Sequence, residues 1–413
     1  MAKRRLCFIV ESGSDVRLVE GLAERFELTV LARRIVGGVE ISHGAANGCG
    51  FDLTVEMESR VGFARLVWRT LRARRGEIDF VLVQGYGLAA LAANLAGRIF
   101  DLRVRMLVCS PVERYYLCRR QHAEASKPFR WWELFALGLL ARANAVVGQG
   151  YFVLSRYLAE VVRGHGGRRP VECVPLYGVD TEIFSPLTRE SKRTLRERLG
   201  LPLTGALIFF SSRVAPEKDA ETLLAAVRTL VRRGHDIRVL HRSGGHRAFL
   251  EAARRFGVAE RVFAADAVHP HRELPDAYRA SDLCVQASRE EGLGFSPLES
   301  LACMTPVVAA DVGGLKETII DGETGWSYPV GDAERLAQAI EEALGNPAEA
   351  QRRAAAGRRL VCAQYERRAV FNQLVEMLCA DDGRVENAND AQRRLAPATT
   401  HQAPALREET DSL

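Results

Sequence analysis

A chain of 413 residues with 47% hydrophobic and 26% charged residues is long enough for two domains with sizeable cores, which excludes a disordered or fibrous protein. No run approaches the roughly 20 apolar residues of a membrane-spanning helix, and the first apolar stretch, 6–10, is too short for a secretory leader, so a cytoplasmic location is expected. The net charge of +5 conceals fourteen Lys and Arg against five acids between residues 60 and 130, a surface suited to an anionic membrane or acceptor and equally to plain solvation. Nine cysteines without a CxxC pair predict buried thiols rather than a zinc site or a disulfide frame.

Taken in chain order, apolar runs at 6–10, 28–31, 80–83, 104–108, 145–147 and 171–174 read as strands separated by helical patterns, which predicts a parallel sheet covered on both faces. Glu11 to Val16 after the first strand is a glycine-containing loop. Within 61–75, Phe63, Val67 and Leu71 recur every four residues beside Trp68, a stripe that suits packing against a sheet or a membrane surface. Strand 104–108 runs into Cys109-Ser110-Pro111-Val112-Glu113. Trp131-Trp132 after Lys127-Pro-Phe-Arg130 is another aromatic and basic cluster, whose plainer reading is the start of a packed helix to about 143. The charged stretch 185–201, with Pro186, Gly200 and Pro202 around it, breaks the alternation. Strands at 206–210, 237–240, 262–265, 283–287 and 306–310 then repeat it, so two Rossmann-like domains are expected, 1–185 and 186–365. Asp332 caps a helix ending at Gly345, and two further helices follow. From Asp381 the chain is polar with few large apolar residues, and 381–413 reads as a disordered tail.

The chemistry concentrates in Glu291-Gly-Leu-Gly-Phe-Ser-Pro-Leu-Glu299. Two acids seven residues apart frame a turn in which Gly292, Leu293 and Gly294 let backbone approach a ligand, and the N–H groups of Phe295 and Ser296 open a helix where phosphate oxygens bind well. Glu291 would face the transferred sugar and Glu299 the ribose. Arg213 and Lys218, between a strand and a helix, would hold the diphosphate. Gly244 begins another loop of the same crevice, with His241, Arg242 and His246 around it.

With Thr305 to Ala309, Gly313-Gly-Leu-Lys-Glu317, Asp321-Gly-Glu-Thr-Gly325, Ser212 to Lys218 and Val174 to Thr181, these residues resemble glycosyltransferase family 4, retaining enzymes of the GT-B fold. The likeness is dense from about 171 to 345. It implies two Rossmann-like domains facing a central cleft, an acceptor-binding first domain completed by helix 366–380, and a donor-binding second domain. It also implies transfer from a UDP- or GDP-linked sugar to an acceptor hydroxyl, the acceptor being lipid-linked or a small glycoside. No cofactor is expected, the nucleotide sugar being a substrate, and no nucleic-acid partner. Work at the inner membrane face, as a peripheral contact with anionic lipid, fits the basic stretch. The nucleotide base would be held near Val268. The sequence holds no Asp-x-Asp pair, so Arg213 and Lys218 are expected to do the work of a metal ion. His269 and His271 lack a third ligand nearby. The resemblance makes Gly13, in the loop after the first strand, a candidate donor contact. The chain departs from the pattern at Met304, where the family usually has glycine, and at Tyr177. It departs again after strand 104–108, where a His that touches the sugar is usual and Ser110 or Glu113 would take its place as the contact to sugar or acceptor. The alternatives are a catalytically inactive sugar-nucleotide-binding protein of the same fold, a GT-B epimerase or a phosphorylase; no motif for the last two is present.

Overall fold

The computed structural model describes residues 3–11, 14–33, 52–55, 59–122, 130–188, 190–265 and 273–380. Gly13, Val268, His269, His271 and the 381–413 tail lie outside the described residues.

The first sheet has seven strands, β1 (Arg5–Val10), β2 (Glu27–Ala32), β3 (Asp52–Val55), β4 (Phe80–Gln84), β5 (Val104–Val108), β6 (Tyr151–Val153) and β7 (Val171–Cys173), in the spatial order β3-β2-β1-β4-β5-β6-β7. Every pairing is parallel. Its helices are α1 (Val16–Arg25), α2 (Arg60–Ala73), α3 (Leu88–Phe100), α4 (Val112–His122), α5 (Trp131–Val147) and α6 (Arg156–Gly164). The central strands are nearly continuous apolar runs because both faces are covered, and Cys7, Phe8, Ile9, Val81 and Leu82 have no exposed surface.

After α7 (Lys192–Arg198), the second sheet holds six strands, β8 (Ala206–Phe210), β9 (Ile237–Arg242), β10 (Val262–Ala265), β11 (Leu283–Gln286), β12 (Val307–Ala310) and β13 (Trp326–Tyr328), in the order β10-β9-β8-β11-β12-β13. These too are parallel. The helices are α8 (Ala220–Arg232), α9 (His246–Arg255), α10 (Leu274–Ala280), α11 (Phe295–Ala302), α12 (Ala333–Gly345), α13 (Pro347–Gln364) and α14 (Arg367–Cys379). Both sheets lie within one compact unit, residues 1–378. In each, strand order reverses beside the first strand, between β1 and β4 and between β8 and β11, and ligands bind outside the carboxyl ends of strands at such a reversal.

The structure departs from the sequence reading in four places. Residues 145–147 are the last turn of α5 and not a strand; Ala141, Asn144 and Ala145 continue its buried face until Gly148 stops it, and the strand follows at Tyr151–Val153. The short strands β3 and β13 gave no distinct apolar run. The charged stretch that breaks the alternation holds a docked helix at 192–198: Leu195 is buried, and Arg196 donates to the Ala280 carbonyl at 2.8 Å and pairs with Asp282 at 2.5 Å. Finally, α5 does not pack by its aromatic residues, since Trp131 is 71% exposed and Phe135 63%.

The stripe on α2 faces inward, with Phe63, Val67 and Leu71 fully buried. The last helix returns to the first sheet. Phe371 of α14 closes over Gly21 of α1, where a Cβ would collide with its ring, and Arg25 stacks on that ring at 4.6 Å. Backbone bonds between Val179 and residues 365 and 367 steer the chain across.

Candidate functional site

The reversal point of the second sheet carries the loops after β8 and β11, and their side chains interlock. Lys218 Nζ lies 2.5 Å from Glu291 Oε2, and the same oxygen accepts from Gln286 Nε2 and Ser288 Oγ, each at 3.0 Å. Three donors on one oxygen aim the carboxylate, and Oε1 takes no donor from the described residues. Both partners are largely buried, with side-chain exposures of 15% and 10%. The glycines are steric requirements: a Cβ at Gly292 would run into the Cys109 carbonyl, and Gly294 has φ +93, which favours glycine. Gly294 caps α11, so the N–H groups of Phe295 and Ser296 open that helix, two residues before Pro297.

Arg213 is half-exposed and reaches Glu217 at 2.6 Å. Glu217 is fully buried and receives a second guanidinium, Arg119 of α4, through bonds of 2.8 and 3.1 Å. Burial pushes the Glu217 carboxyl up, but these bonds and charges outweigh it and hold it below the usual carboxylate range. Gly244 accepts from the Val214 N–H at 3.0 Å, placing its loop beside Arg213. His241, by contrast, is core: it has no exposed surface, stacks on Phe210 and Phe249, and bonds through Nδ1 to the Phe210 carbonyl oxygen at 2.9 Å. Burial lowers its pKa to about 4.

Glu299 is 3% exposed, and protein groups hold both its oxygens: Arg17 of α1 meets Oε1 at 2.5 Å and Tyr278 donates to Oε2 at 2.9 Å. Arg17 also binds Asp15, donates to the Tyr177 hydroxyl at 2.9 Å and lies 4.5 Å above the Tyr177 ring, which stacks on Phe295 at 4.2 Å. The helix acid is thus gripped by the first sheet's α1. Sequence reasoning missed Arg17, Arg119, Tyr115, Tyr157 and Tyr278. Only Tyr177 was singled out, and then as a departure from the family.

From the first sheet, Ser110 follows Cys109 after β5, and it is the Cys109 carbonyl that lies against the Gly292 turn. Ser155 donates to the Gly292 carbonyl at 2.6 Å, and Glu317 of the Gly-Gly-Leu-Lys-Glu segment caps α6 by accepting from the N–H groups of Arg156 and Tyr157. Tyr157 donates to Glu290 at 2.6 Å, so the neighbour of Glu291 also has a specific partner, and burial lifts the Glu290 carboxyl above its usual range. Tyr115 is partly buried, and desolvation together with the charges of Glu291, Glu217 and Glu290 raises its hydroxyl pKa well above the ordinary value. Glu113 lies farther off, paired with His165 at 2.7 Å on the wall of a cavity of about 610 Å³ between α4, α5 and α6. The described cysteines are free, and among the described residues no three His, Cys, Asp or Glu side chains gather into a metal-binding group.

Two parallel sheets with a phosphate-type loop and a helix start at the second reversal point define a GT-B protein, and solved structures agree. Sucrose-phosphate synthase from Thermosynechococcus elongatus superposes with a TM-score of 0.74 over 91% of this chain and 98% of its own at 20% identity. Residues 191–360 match the family model described as glycosyl transferases group 1. The D-inositol 3-phosphate glycosyltransferase of Corynebacterium diphtheriae is 34% identical over 193 residues, 45% of each chain. A GDP-mannose-dependent alpha-(1-6)-phosphatidylinositol monomannoside mannosyltransferase of Mycolicibacterium smegmatis is 32% identical over 212 residues, 49% of this chain and 54% of that one. The chain spans about half the length of these relatives.

Proposed function

We propose that this protein is a retaining glycosyltransferase that moves a hexose from a UDP- or GDP-linked sugar to an acceptor hydroxyl without a metal ion. The observation that carries the reading is Glu291, aimed by Lys218, Gln286 and Ser288 at the start of α11 with Arg213 alongside. As the glycosidic bond to the diphosphate breaks, negative charge builds on the phosphate oxygens. Lys218, Arg213 and the N–H groups of Phe295 and Ser296 would stabilise it, fixed cations and a helix N-terminus standing where other enzymes use a divalent ion. Glu291 would face the sugar through Oε1, and Glu299 the ribose once Arg17 yields it.

The second sheet with its helices would be the donor half, and the first, with α14, the acceptor half. The relatives' names include an inositol phosphate and a phosphatidylinositol mannoside, which favours a phosphate-bearing or lipid-linked acceptor. No helix of the described residues is long and apolar enough to cross a membrane. A cytoplasmic protein held at the inner membrane face by the basic face of α2 would suit such an acceptor, and vesicle binding at low salt should disappear when Arg69, Arg72, Arg74 and Arg75 are changed together.

Product analysis against a panel of UDP- and GDP-sugars, with slow donor hydrolysis in the absence of acceptor, tests the reading. Binding of a nucleotide sugar without transfer or hydrolysis would leave only the inactive binding protein. EDTA should leave the rate unchanged. Loss of activity with chelator and recovery with Mn²⁺ would overturn the metal-free mechanism.

A further inference from the structure

Helix α5 is inside out. Its small residues Ala141 and Ala145 are buried, while Trp131, Phe135, Leu139 and Val146 are 71%, 63%, 58% and 64% exposed and recur at spacings of four, four and seven residues along one stripe. Burying each such side chain is worth roughly 1.5–3 kcal/mol, so a stripe left on the surface marks a binding face.

Beneath the stripe lies the cavity of about 610 Å³, the size of a small-molecule site, and Phe135 belongs to both. Its polar lining includes Arg114 and Arg142. The acids Glu113 and Glu160 line it too; Glu113 pairs with His165 and acts electrostatically on Arg142, but no carboxylate of the described residues lies within ion-pair distance of Arg142. Arg114 donates to the Tyr157 hydroxyl at 3.0 Å, and Tyr157 donates to Glu290, the residue before Glu291. The cavity therefore connects an apolar outer stripe, through Arg114 and Tyr157, to the acid loop.

We propose that this cavity is the acceptor site and that the acceptor is an amphiphile, with a phosphate-bearing head between Arg114 and Arg142 and an apolar chain along Trp131, Phe135 and Leu139. The assignment rests on the glycosyltransferase reading. A small soluble sugar would leave the stripe uncovered, and a second copy of the chain would cover the stripe without placing an anion near Arg142.

The test uses the full chain with dodecyl phosphate below its micelle concentration, read by tryptophan emission, with inorganic phosphate and dodecyl maltoside as separate arms. Dodecyl phosphate should shift the emission to the blue, and inorganic phosphate should not. Phe135→Glu with Leu139→Glu should weaken dodecyl phosphate binding at least tenfold. Arg142→Glu should weaken dodecyl phosphate at least tenfold and dodecyl maltoside little. All substitutions are at the surface, and donor hydrolysis should persist in each variant, which reports that it is folded. Unchanged dodecyl phosphate affinity in both variants, or equal binding of inorganic phosphate, overturns the site. A dimer in solution that the Phe135→Glu, Leu139→Glu variant dissociates assigns the stripe to a second copy and overturns it as well. Absent donor hydrolysis in the wild type, with dodecyl phosphate binding intact, instead removes the glycosyltransferase reading and with it the acceptor role.

Discussion

The loops of the second sheet and the cavity of the first handle charge in opposite ways. Around Glu291 the acids are paired and withdrawn from water: Glu291 with Lys218, Glu217 with Arg213 and Arg119, Glu299 with Arg17, and Asp219 with Arg289 at 2.9 Å. Around the cavity, Arg142 is exposed and aromatic side chains face solvent. A site that stabilises charge developing on a leaving group benefits from dipoles and cations fixed in advance, whereas a surface that admits a partner must stay open until the partner arrives. The difference between the two halves is therefore one of preorganisation.

Removing the fixed charges should have the largest effect. Lys218→Ala and Glu291→Ala are each expected to lower transfer by about 10²–10³-fold or more, with circular dichroism unchanged. Phe135→Glu with Leu139→Glu should spare donor hydrolysis. Ordinary turnover in a folded Lys218→Ala protein would erase the contrast between the halves.

The bond that joins them comes next. Arg17→Ala strands a buried carboxylate and should cost about 3–5 kcal/mol in urea unfolding, and adding Glu299→Leu should recover a substantial part. A loss below about 1 kcal/mol would mean that water reaches Glu299 freely.

A smaller effect follows from His241, whose pKa is lowered to about 4. Above pH 6.5 the ring is neutral folded or unfolded. As the pH falls from there toward 4, the unfolded chain takes up the proton first, so stability drops by about 3 kcal/mol over that window and then levels off. His241→Phe, stacked between Phe210 and Phe249, should flatten this part of the pH profile. An unchanged slope would place the acid sensitivity elsewhere.

The smallest concerns Met304, which has φ +62 between α11 and β12. Met304→Gly removes a left-handed strain of about 1–2 kcal/mol, partly offset by the greater freedom of glycine in the unfolded chain, and should raise stability by up to about 1 kcal/mol. A loss would show that packing of the Met304 side chain outweighs the strain.

Much of the second sheet was legible in the residues. Strands 206–210 and 262–265 coincide with β8 and β10, because a strand covered on both faces is a bounded apolar run. Asp332 caps α12 through the Arg335 N–H at 2.9 Å as its position before the helical pattern predicted. Residues 145–147 failed because three apolar residues fit a strand and a helix end equally well, and only the buried face of the preceding turns separates the two. The site was legible in part. The placement of Glu291, Lys218 and Arg213 at one reversal point follows from strand–loop–helix order, but their partners do not. Arg17 lies 282 residues from Glu299 and Arg119 lies 98 from Glu217.

By itself the sequence determined the two alternating strand and helix series, the glycine turn before α11 and the type of charge at each loop, since period, turn chemistry and side-chain type are local properties. The tertiary structure alone decided that Glu299 is held by α1, that Glu217 is shared by two guanidiniums, and that α5 turns its aromatic residues outward. Such pairings depend on which surfaces the folded chain brings within hydrogen-bond distance. A helix whose inner face is built from alanine buries that face and leaves its large side chains to water or to a partner.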